Sequence, residues 1–270
     1  MSTAKKTISD IKNAKGAAQP LVCLTAYTDP LATLLDPHCD LILVGDSLGM
    51  VLYGLPSTEN VTLDMMIAHG KAVTCKPRQA VIIVDMPCGS YEAHKELALR
   101  NARRIMDTTG CDGVKLEGGK NMAATIAHLV ENNIPVMGHI GLMPQSANKE
   151  GGYMVKGKTD EEIKRLLEDA KAIEDAGAFS FVIEATIEDV ARTITQSVSI
   201  PTIGIGASAA CDGQVLVTED MLGMLTGHTP KFVKKYADLA EEISCAVESY
   251  ANEVRSRKFP SGEYLYGMKK

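Results

Sequence analysis

Eight short apolar runs, each followed by a turn and most of them by a helical stretch, recur along the chain and restrict it to few architectures. They are Leu21–Tyr27, Leu41–Ser47, Ala80–Pro87, Gly113–Gly119, Pro135–Leu142, Phe179–Thr186, Pro201–Ala207 and Gln214–Asp220. Near-continuous apolar strands alternating with helices imply a parallel sheet with its outer face covered. Eight repeats favour closure into a barrel, so the expected fold is α/β, a (β/α)8 TIM barrel, with a doubly wound open sheet as the alternative. The interior of such a barrel is filled by branched aliphatic side chains. The composition suits that: 45% of the residues are hydrophobic, 4% are aromatic and there is no Trp. No linker or low-complexity stretch splits the chain, and residues 1–270 read as a single barrel domain.

Between the strands, Thr62 opens a helix that reaches about Cys75. Ser90 can cap a helix from Tyr91 to Thr109, stopped at Gly110 where a C-cap belongs. Thr159 precedes the acidic start of a helix ending near Gly177, and Lys231–Arg257 reads as a long terminal helix before Pro260. A short N-terminal capping helix, near Thr7–Lys15, is placed to cover the barrel bottom. Two connections are long, residues 48–61 and residues 143–158, and the second, with paired glycines, suits a lid.

A net charge of −6 argues against a nucleic-acid partner, which needs a basic stripe. No apolar run approaches the ~20 residues that span a bilayer, and the polar start MSTAKKTISD lacks a secretory segment. The seven cysteines are scattered without a C-x-x-C pair, as reduced cytoplasmic thiols would be.

Chemistry-bearing residues gather at the strand C-terminal ends, where barrel enzymes work. Asp46 follows LILVG, Asp85 follows VIIV, Lys115 and Glu117 lie two apart after the fourth run, His139 closes PVMGH and Glu184 closes FVI. If these side chains face inward, three carboxylates converge. Two carboxylates ~4 Å apart repel by about 4 kcal/mol at an effective dielectric of 20, and a divalent cation removes that penalty. Oxygen ligands select a hard ion such as Mg²⁺. Each residue also has a plainer reading: Asp46 or Asp85 as a loop anchor, Lys115 as a counter-ion of Glu117, His139 as a buried histidine on backbone. Glu184, with no basic neighbour in sequence, suits a general base whose pKa burial would raise.

The ordered segments LTAY (Leu24–Tyr27), LVGDSLGMVLYG (Leu43–Gly54), VTLDMMIAHGKAV (Val61–Val73), VDMP (Val84–Pro87) and VKLEGG (Val114–Gly119) resemble the ketopantoate hydroxymethyltransferase family. IPVMGHIGLMPQS (Ile134–Ser146), GGYMVKGK (Gly151–Lys158), IPTIGIGA (Ile200–Ala207), DGQVLV (Asp212–Val217) and PKFVKKYA (Pro230–Ala237) continue the resemblance. Thr28, Cys88 and Ser208 depart from the usual pattern, at the first strand, the pocket wall and the turn after strand seven. The resemblance implies transfer of a hydroxymethyl group from 5,10-methylenetetrahydrofolate to 3-methyl-2-oxobutanoate, giving 2-dehydropantoate in pantothenate biosynthesis through a Mg-stabilised enolate. It implies one Mg²⁺ per subunit at Asp46, Asp85 and Glu117, with Glu117 acting through water. It also implies oxo-acid contacts from Asp46, Ser47, Asp85, Lys115 and His139, Glu184 as proton acceptor, and a homo-oligomer of barrels, commonly a decamer. Two other readings compete: a metal-dependent lyase of the phosphoenolpyruvate mutase and isocitrate lyase type, and a non-catalytic acid-binding ring.

Overall fold

The computed structural model describes residues 4–148, 151–227 and 229–267. Chain packing separates a unit ending at Thr218, which holds every strand, from a second beginning at Glu219. In the first unit the strands are β1 (Leu21–Thr25), β2 (Leu41–Val44), β3 (Val81–Asp85), β4 (Gly113–Lys115), β5 (Val136–Gly141), β6 (Ser180–Glu184), β7 (Thr202–Ile205) and β8 (Gly213–Leu216). They form a closed barrel in chain order, and each neighbouring pair, including β1 with β8, is parallel. The barrel expectation holds and the open sheet is excluded.

The helices of this unit are α1 (Ile8–Lys12), α2 (Asp29–Leu35), α3 (Leu48–Val51), α4 (Leu63–Thr74), α5 (Lys95–Thr109), α6 (Ala123–Glu131), α7 (Asp160–Asp175) and α8 (Glu188–Ser197). Side-chain caps start most of them as their sequences direct: Thr62 for α4, Thr159 for α7, and Thr28 for α2, so the departure at Thr28 is a working N-cap. Ser208 is likewise employed, donating from Oγ to Glu188 Oε1 at 2.7 Å. Gly110 ends α5 in the left-handed region, φ 71°, as read from the sequence. The start of α5 differs from that reading. His94 caps it, because Tyr91 is drawn into the barrel top and buried, so the helix begins only after the chain turns back out.

The period-two alternation along each strand divides the core. Leu41, Leu43, Val81, Ile83, Met137, Val182, Ile203 and Val215 point into the barrel, while Ile42, Val44, Ile82, Val84, Phe181 and Ile183 point out to the helices. Helix α1, closed by a capping box between Thr7 and Asp10, sends the buried Ile11 into the inner cluster, so the N-terminal helix does cover the bottom.

A repeated Cys-Asp pair fastens that bottom. Asp40, Asp112 and Asp212 each precede a strand (β2, β4 and β8) and accept the first free backbone N–H of the strand before it, at Val22 (2.7 Å), Ile82 (2.8 Å) and Thr202 (2.8 Å). The same three carboxylates hold the N-terminal segment through Lys6, Lys5 and Lys15. A charge-assisted bond of this kind contributes about 1.5–3 kcal/mol.

Helix α9 (Thr218–Met221) begins at the last residue of the first unit, and in the second unit an irregular stretch leads to α10 (Leu239–Arg255). The terminal helix is therefore shorter than the sequence suggested. Backbone N–H groups of Tyr236 and Leu239 bond to the carbonyls of Met221 and Leu222, and that pairing diverts residues 231–238 from helical geometry. No helix among the described residues is long and apolar enough to cross a membrane.

Candidate active site

The inward register of the strands runs straight into the polar residues. Asp85 is the next inward position after Val81 and Ile83, and His139 follows Met137. Glu184 in turn follows Val182. Asp85 is the register partner of Lys115, and Gly141 of Glu184. The residues singled out from the sequence thus meet at the C-terminal end of β2 to β6, and Asp46, Asp85, Lys115, Glu117 and His139 are buried there.

Their contacts form one chain. Asp85 Oδ2 accepts the Asp46 backbone N–H at 3.1 Å and pairs with Lys115 Nζ at 3.2 Å. Lys115 Nζ lies 3.4 Å from His139 Nδ1. An ammonium can only donate, so Nδ1 accepts and the imidazole proton sits on Nε2. That Nε2 is 3.2 Å from Glu184 Oε2, although without the alignment of a hydrogen bond. His139 Nδ1 also stands 3.5 Å from Glu117 Oε1. Ser47 begins α3 without capping it and instead shares a 2.7 Å hydrogen bond with the Tyr27 hydroxyl.

Three buried carboxylates share one buried ammonium, and the titration of each group follows from that. Burial raises the pKa of Asp46, and the Lys115 charge only partly opposes it. Burial and the neighbouring Asp46 raise Asp85 and Glu117 likewise. Burial by itself would lower Lys115, but Asp85, Asp46 and Glu117 outweigh it and hold the ammonium charged. Burial, with Lys115 beside it, lowers His139 and keeps the imidazole neutral.

Residues that sequence reasoning did not single out complete the cluster. Gln145, in the loop 143–158, reaches down so that its Nε2 donates to Asp46 Oδ2 at 2.7 Å and to the Met86 carbonyl at 3.0 Å. Tyr91 donates its hydroxyl to Gln145 Oε1 at 2.6 Å and accepts the Glu117 backbone N–H at 3.2 Å. Both side chains lie in irregular segments, where no periodicity marks a residue as buried. Cys88 stands at the rim, its Sγ 3.8 Å from the Gln145 carbonyl.

A divalent cation fits part of this arrangement. Asp85 Oδ1 is buried and has no hydrogen-bond partner among the described residues. Glycine at 45 leaves room for Ser47: a Cβ there would lie 2.8 Å from Ser47 Oγ. Among the described residues, no three His, Cys, Asp or Glu side chains are gathered as ready metal ligands. Glu117 is instead turned towards His139 and the Gln145 backbone N–H, which it accepts through Oε2 at 3.1 Å. Asp46 and Asp85 are the residues suited to direct contact, with Glu117 farther out.

The backbone around Glu184 is tightly set. Ala185 adopts φ 42° and Gly141 φ 94°, and a side chain at 141 would overlap the Glu184 carbonyl oxygen. That oxygen also accepts from Leu142 N at 2.9 Å and Thr186 Oγ1 at 3.0 Å. The loop 143–158 is stitched on beside it, through Lys156 N to the Ala185 carbonyl at 2.9 Å.

A closed parallel barrel with carboxylates, a lysine and a histidine converging at its C-terminal end defines a (β/α)8-barrel enzyme. The family profile described as ketopantoate hydroxymethyltransferase matches residues 5–262, and the chain belongs to that family. It is 58% identical over 267 residues to the 3-methyl-2-oxobutanoate hydroxymethyltransferase of Brucella suis, covering 99% of this chain and 97% of that protein. To the same-named protein of Rhodospirillum rubrum it is 56% identical, over 98% and 95% of the two chains. Among solved structures, a phosphonopyruvate hydrolase complexed with oxalate and Mg²⁺ superposes with a TM-score of 0.60 at 11% identity, covering 97% of this chain and 92% of that one. A 2,3-dimethylmalate lyase of the PEP mutase/isocitrate lyase superfamily gives 0.60 at 14%, over 96% and 91%. At such identities these two structures share the fold. The chain is an enzyme, a hydroxymethyltransferase.

Proposed function

We propose that the enzyme transfers a hydroxymethyl group from 5,10-methylenetetrahydrofolate to 3-methyl-2-oxobutanoate, yielding 2-dehydropantoate for pantothenate biosynthesis, with one Mg²⁺ per subunit. The observation that carries this reading is the convergence of Asp46, Asp85, Lys115, Glu117, His139 and Glu184 at one barrel mouth, with the Asp85 oxygen left partnerless. Family membership supports the substrate, since the relatives carry 3-methyl-2-oxobutanoate in their names.

Asp46 and Asp85 would hold the Mg²⁺. When bound, it supplies Lewis acidity against the negative charge that develops on a 2-oxo acid. The Lys115 ammonium, pinned 3.2 Å from Asp85, offsets the substrate carboxylate, and Ser47 Oγ, anchored by Tyr27, is free to contact it. Glu184 removes the C3 proton of the oxo acid, and the bonding pair attacks the one-carbon unit of the folate. Neutral His139, packed between Lys115 and Glu184, lies beside the base without adding charge. That attack breaks one of the two C–N bonds of the methylene carbon, and the proton held by Glu184 passes to the nitrogen released. Water then breaks the second C–N bond, its oxygen becoming the hydroxyl and its proton going to the other nitrogen, so that tetrahydrofolate leaves. Met50 and Tyr153, from the loops 48–61 and 143–158, meet at the mouth (3.8 Å, Tyr153 Oη to Met50 Sδ) as an exposed apolar rim suited to a flat pterin. Loop 143–158 acts as the lid that excludes bulk water.

Proton NMR of 3-methyl-2-oxobutanoate in D₂O tests the reading. With enzyme and Mg²⁺ the C3 proton signal is expected to disappear, and methylenetetrahydrofolate is then expected to give the hydroxymethylated product. Metal-dependent cleavage of a 2-oxo acid precursor without folate would instead place the enzyme with the lyases.

The enzyme is further proposed to be cytoplasmic and to assemble as a homo-oligomer of barrels, a decamer. All seven cysteines are free thiols, in keeping with a reducing compartment. Helix α10 has no buried residue and exposes Ile243, Val247, Tyr250 and Val254 at helical spacing, an apolar stripe of the kind subunits cover. Sedimentation velocity is expected to give an assembly that Val247→Glu dissociates to smaller species; a wild-type monomer would end the proposal.

A further inference from the structure

Gln145 carries more hydrogen bonds than lid closure or proton transfer requires. Each of its polar groups is occupied. Its backbone N–H donates to Glu117 Oε2, its Nε2 donates to Asp46 Oδ2 and the Met86 carbonyl, and its Oε1 accepts from the Tyr91 hydroxyl. The amide has one workable orientation. Both neighbours of Nε2 are acceptors, and the Tyr91 oxygen, already receiving the Glu117 N–H, turns its own proton to Oε1. The result is a closed ring from the Glu117 backbone N–H through Tyr91 to Gln145 and, by the Gln145 backbone N–H, back to the Glu117 carboxylate, with a branch from Gln145 Nε2 to the Asp46 carboxylate.

We infer that Gln145, oriented by Tyr91, is a positioning residue that sets the carboxylates of Asp46 and Glu117 for a divalent cation and couples that setting to the loop it belongs to. This rests on the metal reading proposed above. By holding Oδ2, Gln145 fixes the plane of the Asp46 carboxylate and leaves Oδ1 as its less engaged oxygen for a cation. Asp85 is arranged in the same way, with Oδ2 taken by Lys115 and the Asp46 N–H, and Oδ1 partnerless. Glu117, held by the loop backbone through Oε2, is kept to a more distant role. One oxygen per aspartate is thus committed to protein and one presented, which fixes the direction of approach.

Partners that orient a metal-ligating group change affinity by about 10–100-fold when removed. Mn²⁺ alone, titrated into the full-length protein by electron paramagnetic resonance, reads this directly. Gln145→Ala is expected to weaken Mn²⁺ binding by about 10-fold or more, and Tyr91→Phe to weaken it by a smaller factor, both with little change in melting temperature relative to the loss of affinity. In the double variant Tyr91→Phe should add less than it costs alone, since it acts mainly through Gln145 and only its bond from the Glu117 N–H is separate; two independent residues would instead add their effects in full. A merely structural role would lower the melting temperature and leave Mn²⁺ affinity in place. Unchanged affinity in Gln145→Ala overturns the inference, and so does additivity in the double variant. Should Gln145→Ala fail to fold, unchanged affinity in Tyr91→Phe overturns it equally. Wild-type protein that binds no Mn²⁺ would overturn the metal reading itself, a result distinct from loss of the Gln145 role.

Discussion

Replacing Glu184 with Gln is expected to lower turnover by at least about 100-fold, the usual scale of general-base assistance, while oxo-acid binding stays within a few-fold of wild type. The substitution keeps shape and removes only the ability to take a proton. Little else should shift, because the backbone at this position is held independently of the side chain. The Glu184 carbonyl accepts from Leu142 N and Thr186 Oγ1, and the close approach of Gly141 locks β5 against β6. Exchange of the C3 proton into D₂O isolates the step: it should be lost in Glu184→Gln even without folate. Exchange at the wild-type rate would remove Glu184 from the proton transfer, whatever happened to overall turnover.

Glu184 also marks where the sequence was most informative. A carboxylate closing an apolar strand must face either water or a partner, and strand periodicity decides which. Val182 and Glu184 share a face, so an inward Val182 carries Glu184 inward. The same step places Asp85 after Ile83 and His139 after Met137, which is why the barrel and these strand-end residues could be read from period and position alone. Gln145 and Tyr91 follow no period. They are buried because the loop folds back over the strand ends, a tertiary event that neither composition nor spacing encodes. The misplaced start of α5 has the same origin: Ser90 is a good cap in isolation, but burial of Tyr91 outweighs local propensity. The Cys-Asp pairs before β2, β4 and β8 recur in the sequence, but each pair alone resembles an ordinary turn. Their meaning lies in bonds to the neighbouring strand, 10 to 30 residues away in sequence.

Asp85→Asn should separate metal binding from folding. The amide oxygen can keep both bonds made by Asp85 Oδ2, to the Asp46 N–H and to Lys115, while the NH₂ group falls where the partnerless Oδ1 now lies. An NH₂ group offers a cation no lone pair. Mg²⁺-dependent binding of the oxo acid, measured by calorimetry, should therefore weaken by more than about 100-fold, beyond the effect of losing an orienting partner. Stability should move the other way. Burial raises the Asp85 pKa, so its ionised form is favoured less in the folded than in the unfolded protein. By linkage, that cost grows as pH rises above the unfolded carboxylate value and is complete only above the folded value of about 7, so most of it is present at neutral pH unless a cation offsets it. Removing one negative charge from a cluster with a single ammonium relieves part of it, so metal-free Asp85→Asn should melt no lower than metal-free wild type. Adding Mg²⁺ should then raise the wild-type melting temperature, since a ligand at 100 times its Kd contributes about 2.7 kcal/mol, and should leave the variant unmoved. An equal Mg²⁺ shift in both proteins would place the cation away from Asp85. A variant that melts well below metal-free wild type would mean that the Asp85–Lys115 pair outweighs the carboxylate repulsion, and that the acidic centre is built for stability before it is built for a metal.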